Sequence, residues 1–413
     1  MTCRPLRILY VAPYYEPAFL YGGPARSVPA LCRSLASAGQ EVTVFTTNAN
    51  GDTELDVPIG TRVEIGNVGV YYFKRDAGRR FFFSAGLRSA CLARVQEFDI
   101  IHSDSFWCYP MLPVAHACRA HGVPRIESTR GALMPWCIGQ SYWKKRVFLE
   151  LFARRCLDSA AAIHCTDEVE AEAVRAFGFK ASPFVVPNVV ERPRADGRPL
   201  RSLRSMLDLP EDSLVSIFLG RMTRVKGLDI AVRAFAAVAE HHPQAYFVVA
   251  GPDADGTGDR VRRVVADLNL SDRVRFMGSV EGPVRSLLLA DANLFVLTSH
   301  SENFGMAAAE AMAVGVPVLL SKGVGVANAA RSARAGCVVA LDPAEIGRAW
   351  TAMLDNPSGL RSMGGNGSRL VHERYRPEVV AASMLAMYRQ AIQDRKPQEH
   401  GVGVLGRSQS REM

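Results

Sequence analysis

The sequence predicts an α/β protein made of two doubly wound parallel-sheet domains facing one another across a cleft. Short apolar, β-branched runs alternate with longer helix-period stretches along most of the chain, the pattern of a parallel sheet covered by helices on both faces. A polar, Pro- and Arg-rich break at 191–210 interrupts the alternation, which then restarts. With 413 residues, each half is long enough to bury a core of ordinary size.

Residues 6–12 are apolar and rich in strand formers. A Gly/Pro loop (13–24) and a helical stretch ending near Gly39 follow. Further short strands are expected at 41–47, 99–103, 124–128, 161–165 and 184–189. After the break, strands are expected at 214–220, 246–251, 274–278, 293–298, 316–321 and 337–341. The expected organisation is a first domain over 1–190, a linker over 191–210, a second domain over 211–376, a helix over 377–395 and a disordered tail over 396–413.

A hydrophobic content of 48% and a charged content of 22% are those of a globular protein. The nine cysteines are scattered, with no C-x-x-C pair and no Cys/His cluster at zinc spacing, which points to a reducing cytoplasm rather than a disulfide framework or structural zinc. The apolar run near the N-terminus is too short for a signal-peptide core, and no stretch is long enough to cross a bilayer. The formal net charge of +8 suits an anionic substrate, an anionic membrane surface or nucleic acid. No nucleic-acid motif is present and the charges form no long block, so nucleic acid is not expected as a partner.

The most informative segment is Ser299-His300-Ser301-Glu302-Asn303-Phe304-Gly305, which runs into an Ala-rich, helix-forming stretch over 306–314. An apolar strand precedes it, and Gly315 is placed to end the helix before Val316-Pro317-Val318. Glu302 then sits at the carboxyl end of a strand, where open α/β sheets bind ligands. Glu310 lies inside a helix whose N-terminus favours an anion. Two fixed carboxylates flanking an anion-binding helix end suit a ligand with hydroxyls at both ends and phosphates between, as in a nucleotide-sugar.

These residues resemble the E-x7-E signature of retaining glycosyltransferases of family 4, which have the GT-B fold of two Rossmann-like domains. The matching positions are Glu302-Asn303-Phe304-Gly305 and Glu310-Ala311-Met312-Ala313-Val314-Gly315-Val316-Pro317-Val318. Gly220-Arg221-Met222-Thr223-Arg224-Val225-Lys226-Gly227 is similar to the family's Gly-Arg and Lys-Gly loop, whose cations grip the donor diphosphate. Two cations on one loop can neutralise the charge that builds on a departing diphosphate without a metal. Arg supplies a planar fork and Lys a point charge. On the residues alone, a basic loop making surface ion pairs stays open. The loop lacks P-loop order, which argues against an ATPase.

The resemblance implies a catalytic set of Arg221, Lys226, Glu302 and Arg130 and a donor-binding set of Gly23, Gly220, Asn303, Phe304, Gly305 and Glu310. In it, Glu310 accepts from the ribose hydroxyls and Glu302 from a hydroxyl of the transferred sugar. Phe304 is open to a packing role. Tyr21-Gly22-Gly23-Pro24 matches family glycines that let the backbone approach the donor phosphate, as Gly permits. No G-x-G-x-x-G follows the first strand, so a nicotinamide dehydrogenase is not expected.

Where many members carry a histidine, this chain reads Ser128-Thr129-Arg130-Gly131, which resembles an Arg-Gly variant among polysaccharide-assembling members. Arg130 cannot be a general base and is read as stabilising charge. His102, Asp104 and Glu170 are expected on the acceptor side, with packing the competing reading for His102. The last helix is expected to pack back on the first domain, as in the family.

Asp253-Ala254-Asp255 follows a strand and precedes Gly256, and it reads as a solvated turn rather than a metal site. No cofactor or metal is expected, with the nucleoside-diphosphate sugar as co-substrate. Trp143-Lys144-Lys145-Arg146, continuing to Arg154-Arg155, is a basic stretch interleaved with apolar residues. It suits either anionic lipid head groups or an ordinary helix with one buried face.

The expected activity is hexosyl transfer to a hydroxyl of a glycan or lipid-linked oligosaccharide in cell-surface polysaccharide synthesis, in the cytoplasm or at the inner membrane face. A nucleotide-sugar 2-epimerase or phosphorylase on the same fold stays open, as does a non-catalytic sugar-nucleotide-binding protein.

Overall fold

The computed structural model describes residues 4–79, 81–104, 106–192 and 202–394. The disordered tail expected over 396–413 and residues 193–201 of the expected linker lie outside the described residues. Besides a small two-stranded ribbon (Ala49–Asn50 with Thr53–Glu54), the first half forms a sheet from β1 (Arg7–Val11), β2 (Glu41–Thr47), β3 (Arg62–Ile65), β4 (Val68–Phe73), β5 (Ile100–Ser103), β6 (Arg125–Ser128), β7 (Ala162–Cys165) and β8 (Pro183–Val185). The second sheet holds β9 (Leu214–Leu219), β10 (Ala245–Ala250), β11 (Val274–Gly278), β12 (Leu294–Leu297), β13 (Val318–Ser321) and β14 (Gly336–Val339). Helices cover both faces of the central strands, so β5, β12 and β13 are buried throughout; β12 and β13 are mostly apolar, whereas β5 also buries His102 and Ser103.

The strand order is β8-β7-β6-β5-β1-β2-β4-β3 in the first sheet and β11-β10-β9-β12-β13-β14 in the second. The second is parallel throughout; in the first, only β3 runs antiparallel, against β4. Alternation revealed neither β3 nor β4: β3 is an edge strand with every other residue exposed, and β4, although buried, follows it in an antiparallel hairpin with no crossover helix between. In each sheet the order reverses beside the first strand, between β1 and β5 and between β9 and β12. Loops leaving the carboxyl ends part there and open a crevice. The motifs at 21–24, 220–227 and 299–305 lie on such loops and Arg130 follows the neighbouring strand β6, which is why this topology places the site.

The second core gathers around β9, β10 and the helix Leu228–His241. Trp350 is fully buried there, and its indole N–H donates to Ser216 Oγ at 2.9 Å. The helix Pro377–Gln393 follows the second domain in sequence but joins the first core, where Val380, Met384 and Tyr388 pack with Tyr10, Leu35 and Ile126. Its apolar stripe finds its partner across the domain boundary, so the crossing is held by burial as well as by the Val190 N–H, which donates to the Tyr375 carbonyl at 2.8 Å.

Candidate active site

The loop after β9 carries Arg221 and Lys226. It ends at Gly227, which has φ of +59°, and a Cβ there would stand 2.3 Å from the Thr298 carbonyl oxygen. Only glycine allows both the backbone shape and the close approach. The Thr298 hydroxyl donates to the Gly227 carbonyl at 3.0 Å. This contact pins the loop to the end of β12 and brings the Lys226 ammonium against the Glu302 carboxylate. Burial pushes the Lys226 ammonium down from its usual 10.5 to about 8, and Arg221 pushes the same way. The Glu302 carboxylate in contact opposes both.

Glu302 is held through its backbone. Its N–H donates to the Gly323 carbonyl at 2.8 Å, and its carbonyl accepts from Gly325 at 2.9 Å. A Cβ on Gly325 would lie 1.9 Å from the Asn303 carbonyl oxygen, so the 302–305 segment and its brace over 323–326 fit only with glycine there. Gly305, with φ of +92°, turns the chain into the helix Met306–Ala313. Phe304 is buried and meets Tyr375 edge-on at 5.3 Å, which is a packing role. Glu310 is buried in that helix and pairs with Arg285 of the helix Gly282–Ala290. Arg285 escaped sequence reading, because the E-x7-E spacing carries no information about a helix that only the fold brings alongside.

The first domain contributes two elements. Gly22 and Gly23 cross over to the second domain: a Cβ on Gly22 would lie 3.2 Å from Arg221 Nε, and one on Gly23 would lie 3.6 Å from Met306 Cγ. Arg130 follows β6 in a left-handed conformation, φ +48°. It donates to Asp104 Oδ2 at 3.1 Å, Asn188 Oδ1 at 2.5 Å and the Tyr10 hydroxyl at 3.2 Å. Burial works against the Arg130 charge, but Asp104 and Tyr10 outweigh it and hold the guanidinium above its usual range. Gly131 comes so close to Asn303 that a Cβ would stand 3.0 Å from the Asn303 Cβ.

Together these residues line a cleft of about 540 Å³ between the two switch points. Gly22, Gly23 and Arg130 stand on one side, with Gly220, Arg221, Lys226, Glu302 and the Asn303–Gly305 segment on the other. Arg26 and Arg285 also line it and continue into an adjoining cavity of about 680 Å³ that reaches Glu310. Such an arrangement can hold an anion between Arg221, Lys226 and the glycine loop and offer carboxylate acceptors to hydroxyls on either side of it.

Two acceptor-side expectations are corrected. His102 is fully buried beneath the cleft: Nδ1 lies 2.6 Å from the Tyr388 hydroxyl, Nε2 2.7 Å from Ser128 Oγ, and that hydroxyl 2.8 Å from His164 Nδ1. Burial keeps the imidazole well below its usual pKa, so it serves as a neutral hydrogen-bonding link to the last helix. Glu170 is also buried and holds the Arg130 loop, accepting from the Gly131 N–H at 2.5 Å, the Thr129 hydroxyl at 2.7 Å and the Thr166 N–H at 2.7 Å. Asp104 reaches the cleft only through Arg130.

The Asp253-Ala254-Asp255 carboxylates accept backbone N–H groups from Gly258 at 3.0 Å, Thr257 at 3.2 Å and Arg224 at 3.3 Å, which is turn chemistry. The basic stretch is three short pieces, Tyr142–Phe148, a π turn at Leu149–Ala153, and Arg154–Asp158. Leu149, Ala153, Cys156 and Leu157 face the core, whereas Trp143 is 76% and Leu151 65% exposed. Among the described residues, no helix is long and apolar enough to cross a membrane.

Two Rossmann-like domains with a cleft between their switch points make the GT-B architecture. The sequence profile of "Glycosyl transferase 4-like domain" matches residues 22–189, and that of "Glycosyl transferases group 1" matches residues 201–370. The chain therefore belongs to the family 4 type of GT-B glycosyltransferases. It is 29% identical over 95% of its length to the D-inositol 3-phosphate glycosyltransferase 2 of Catenulispora acidiphila, of which it covers 97%. It is 28% identical over 95% of its length to the D-inositol 3-phosphate glycosyltransferase of Streptomyces scabiei, covering 93% of it. The fold is similar to sucrose-phosphate synthase from Thermosynechococcus elongatus, with a TM-score of 0.73, 23% identity and coverage of 94% and 99% of the two chains. It is also similar to Anabaena HepE in complex with UDP and glucose, with a TM-score of 0.73, 17% identity and coverage of 92% and 99%.

Proposed function

We propose that this chain is a retaining hexosyltransferase that moves a sugar from a nucleoside diphosphate to a hydroxyl of a glycan or lipid-linked oligosaccharide in cell-surface polysaccharide synthesis, without a metal. The observation that carries the reading is the meeting of Arg221, Lys226, Glu302 and the Gly22-Gly23 loop at the two facing switch points. The diphosphate leaves with its charge taken by Arg221 and Lys226. The acceptor oxygen bonds to the anomeric carbon on the face the diphosphate vacates, and the leaving oxygen takes the acceptor's proton. A double displacement needs a nucleophilic carboxylate beside that carbon, whereas Glu302 and Glu310 are assigned to hydroxyls.

The donor site is tested by thermal unfolding with UDP, GDP, ADP and their sugars, on the native chain and on Glu310→Ala. A ligand that binds only the folded state raises the midpoint. One base family should stabilise the native chain, by about 2.7 kcal/mol at a hundredfold excess over Kd, and should lose most of that effect in the variant. Stabilisation by no nucleotide at saturation would refute the donor site and favour a binding protein of another kind. Donor turnover without any acceptor would favour the epimerase or phosphorylase reading.

A second acceptor reading, a phosphorylated cyclitol, is supported by the full-length likeness to proteins named D-inositol 3-phosphate glycosyltransferase. Transfer to D-inositol 3-phosphate, set against transfer to a lipid extract, separates the two.

We also place the reaction at the inner face of an anionic membrane. Exposed Trp143 and Leu151 beside Lys144 and Arg146 support this, because apolar insertion and cationic attraction act together at such a surface. The helix Pro135–Gly139, just before this surface, contributes Trp136 to the cleft, so a lipid-borne acceptor could reach the site from the same side. Trp143→Glu with Leu151→Glu should cut flotation with phosphatidylglycerol vesicles about tenfold while leaving nucleotide stabilisation intact. Failure of the native chain to float with such vesicles at low salt would remove the membrane from the reading.

A further inference from the structure

We propose that Arg285 is the positioning residue for Glu310 and, through it, the residue that makes this site demand a ribose diol. The proposal rests on the donor-site reading of Glu310 and adds a residue to it.

Glu310 is 7% exposed, in a helix whose neighbouring residues Ala308, Ala309, Ala311 and Met312 are buried and apolar. A carboxylate in such surroundings keeps its charge only beside a cation. That cation is Arg285, whose guanidinium donates to Glu310 Oε2 from the helix Gly282–Ala290. Arg26 of the first domain lines the same cavity and its charge also reaches Glu310, but its own ion pair is with Glu281 at 3.7 Å, whereas Arg285 hydrogen-bonds the Glu310 carboxylate directly. With Oε2 taken by Arg285, the carboxylate is fixed in rotation and Oε1 is left to accept from hydroxyls. Arg285 lines both the 540 Å³ cleft and the adjoining 680 Å³ cavity, which places it where the diphosphate end of a donor passes to its ribose end. A vicinal diol offers two O–H donors to one oriented carboxylate, whereas a 2′-deoxyribose offers one.

The test is calorimetric binding of three probe pairs, UDP with 2′-deoxy-UDP, GDP with 2′-deoxy-GDP and ADP with 2′-deoxy-ADP, to the native chain, Arg285→Gln and Arg285→Lys. For whichever base binds, the native chain should prefer the ribose form by about tenfold or more, the value of one charge-assisted hydrogen bond. The preference should fall to about threefold or less in Arg285→Gln and to an intermediate value in Arg285→Lys, which keeps the charge but not the fork. A merely structural arginine would weaken both members of a pair alike and leave the ratio unchanged. A native-like ratio in Arg285→Gln would overturn the proposal while leaving the donor site standing. Equal binding of ribose and deoxyribose forms by the native chain, or no binding of either, would instead remove the reading of Glu310 and the proposal with it. If Arg285→Gln does not fold, the ratio in Arg285→Lys decides: an intermediate value supports the proposal and a native value overturns it.

Discussion

Lys226→Ala should lower sugar transfer by about a hundredfold to a thousandfold, the usual cost of losing one charge-stabilising group aimed at a transition state. The variant should still fold. Gly227 and Thr298, which pin the loop, are untouched, and the Glu302 side chain is one-fifth exposed, so water can solvate it once its partner is gone. The loss should fall on kcat more than on KM, because charge on the diphosphate grows as the bond to the sugar breaks. The same lysine sets a pH limit. Its folded pKa is lowered to about 8 by burial and by Arg221, so the ammonium is fully present below pH 8 and is lost as pH rises through that value. Activity should therefore decline above about pH 8 in the native chain. A bound dianionic diphosphate favours the charged form, so the decline in kcat should lie at higher pH than the decline in kcat/KM. A folded Lys226→Ala chain with near-native kcat would show that this lysine carries no charge needed for transfer, whereas activity flat to about pH 10 in the native chain would show that Glu302 keeps the ammonium charged throughout.

The division between what could and could not be read from the sequence has a physical origin. Local information located the strand–loop–helix units around Arg221–Lys226 and Glu302–Glu310, since apolar runs, glycines and the carboxylate spacing all lie within about one unit. The strands β9, β10, β12 and β13 were legible because burial on both faces favours apolar runs, whereas β4, equally buried but joined to β3 in a hairpin, was not. Long-range partners were not legible. Arg285 reaches Glu310, and Gly323 and Gly325 brace Glu302, through contacts that only the sheet order creates. His102 looked like a cleft residue because it ends a strand beside the switch point. The helix Pro377–Gln393 then supplies Tyr388 from 286 positions away and closes the ring into the core. Glu170 is expected at the ligand edge only from its resemblance to a family glutamate, whereas its carboxylate is used by the backbone of the loop that carries Arg130. The glycine pair Gly323-Val324-Gly325 did hold a signal that reading passed over, since closely spaced glycines outside an expected turn mark a close backbone approach.

Arg130 gives the second large effect, and it separates charge stabilisation from donor binding. A non-glycine residue with φ of +48° is held there against its own preference, at a cost of about 1–2 kcal/mol. The side chain meets Asp104, Asn188 and Tyr10 at the floor of the cleft, and Glu170 holds the loop from beneath. Such over-determination is expected where a fixed charge must not move as the reaction proceeds. Removing Arg130 alone would bury the Asp104 carboxylate without a cation, at about 3–5 kcal/mol, so Arg130→Ala by itself confounds folding with function. The informative variant is Arg130→Gln with Asp104→Asn, which removes both charges and keeps polar groups in place. On the proposed reading, in which Arg130 stabilises charge at the reacting sugar while Arg221 and Lys226 hold the diphosphate, it should retain nucleotide stabilisation within about twofold in Kd while transfer falls about a hundredfold. Equal losses in binding and transfer would make Arg130 a donor ligand. An unchanged rate in the folded double variant would reduce the Arg130–Asp104 pair to a structural ion pair at the base of the cleft, leaving charge stabilisation to the second domain alone.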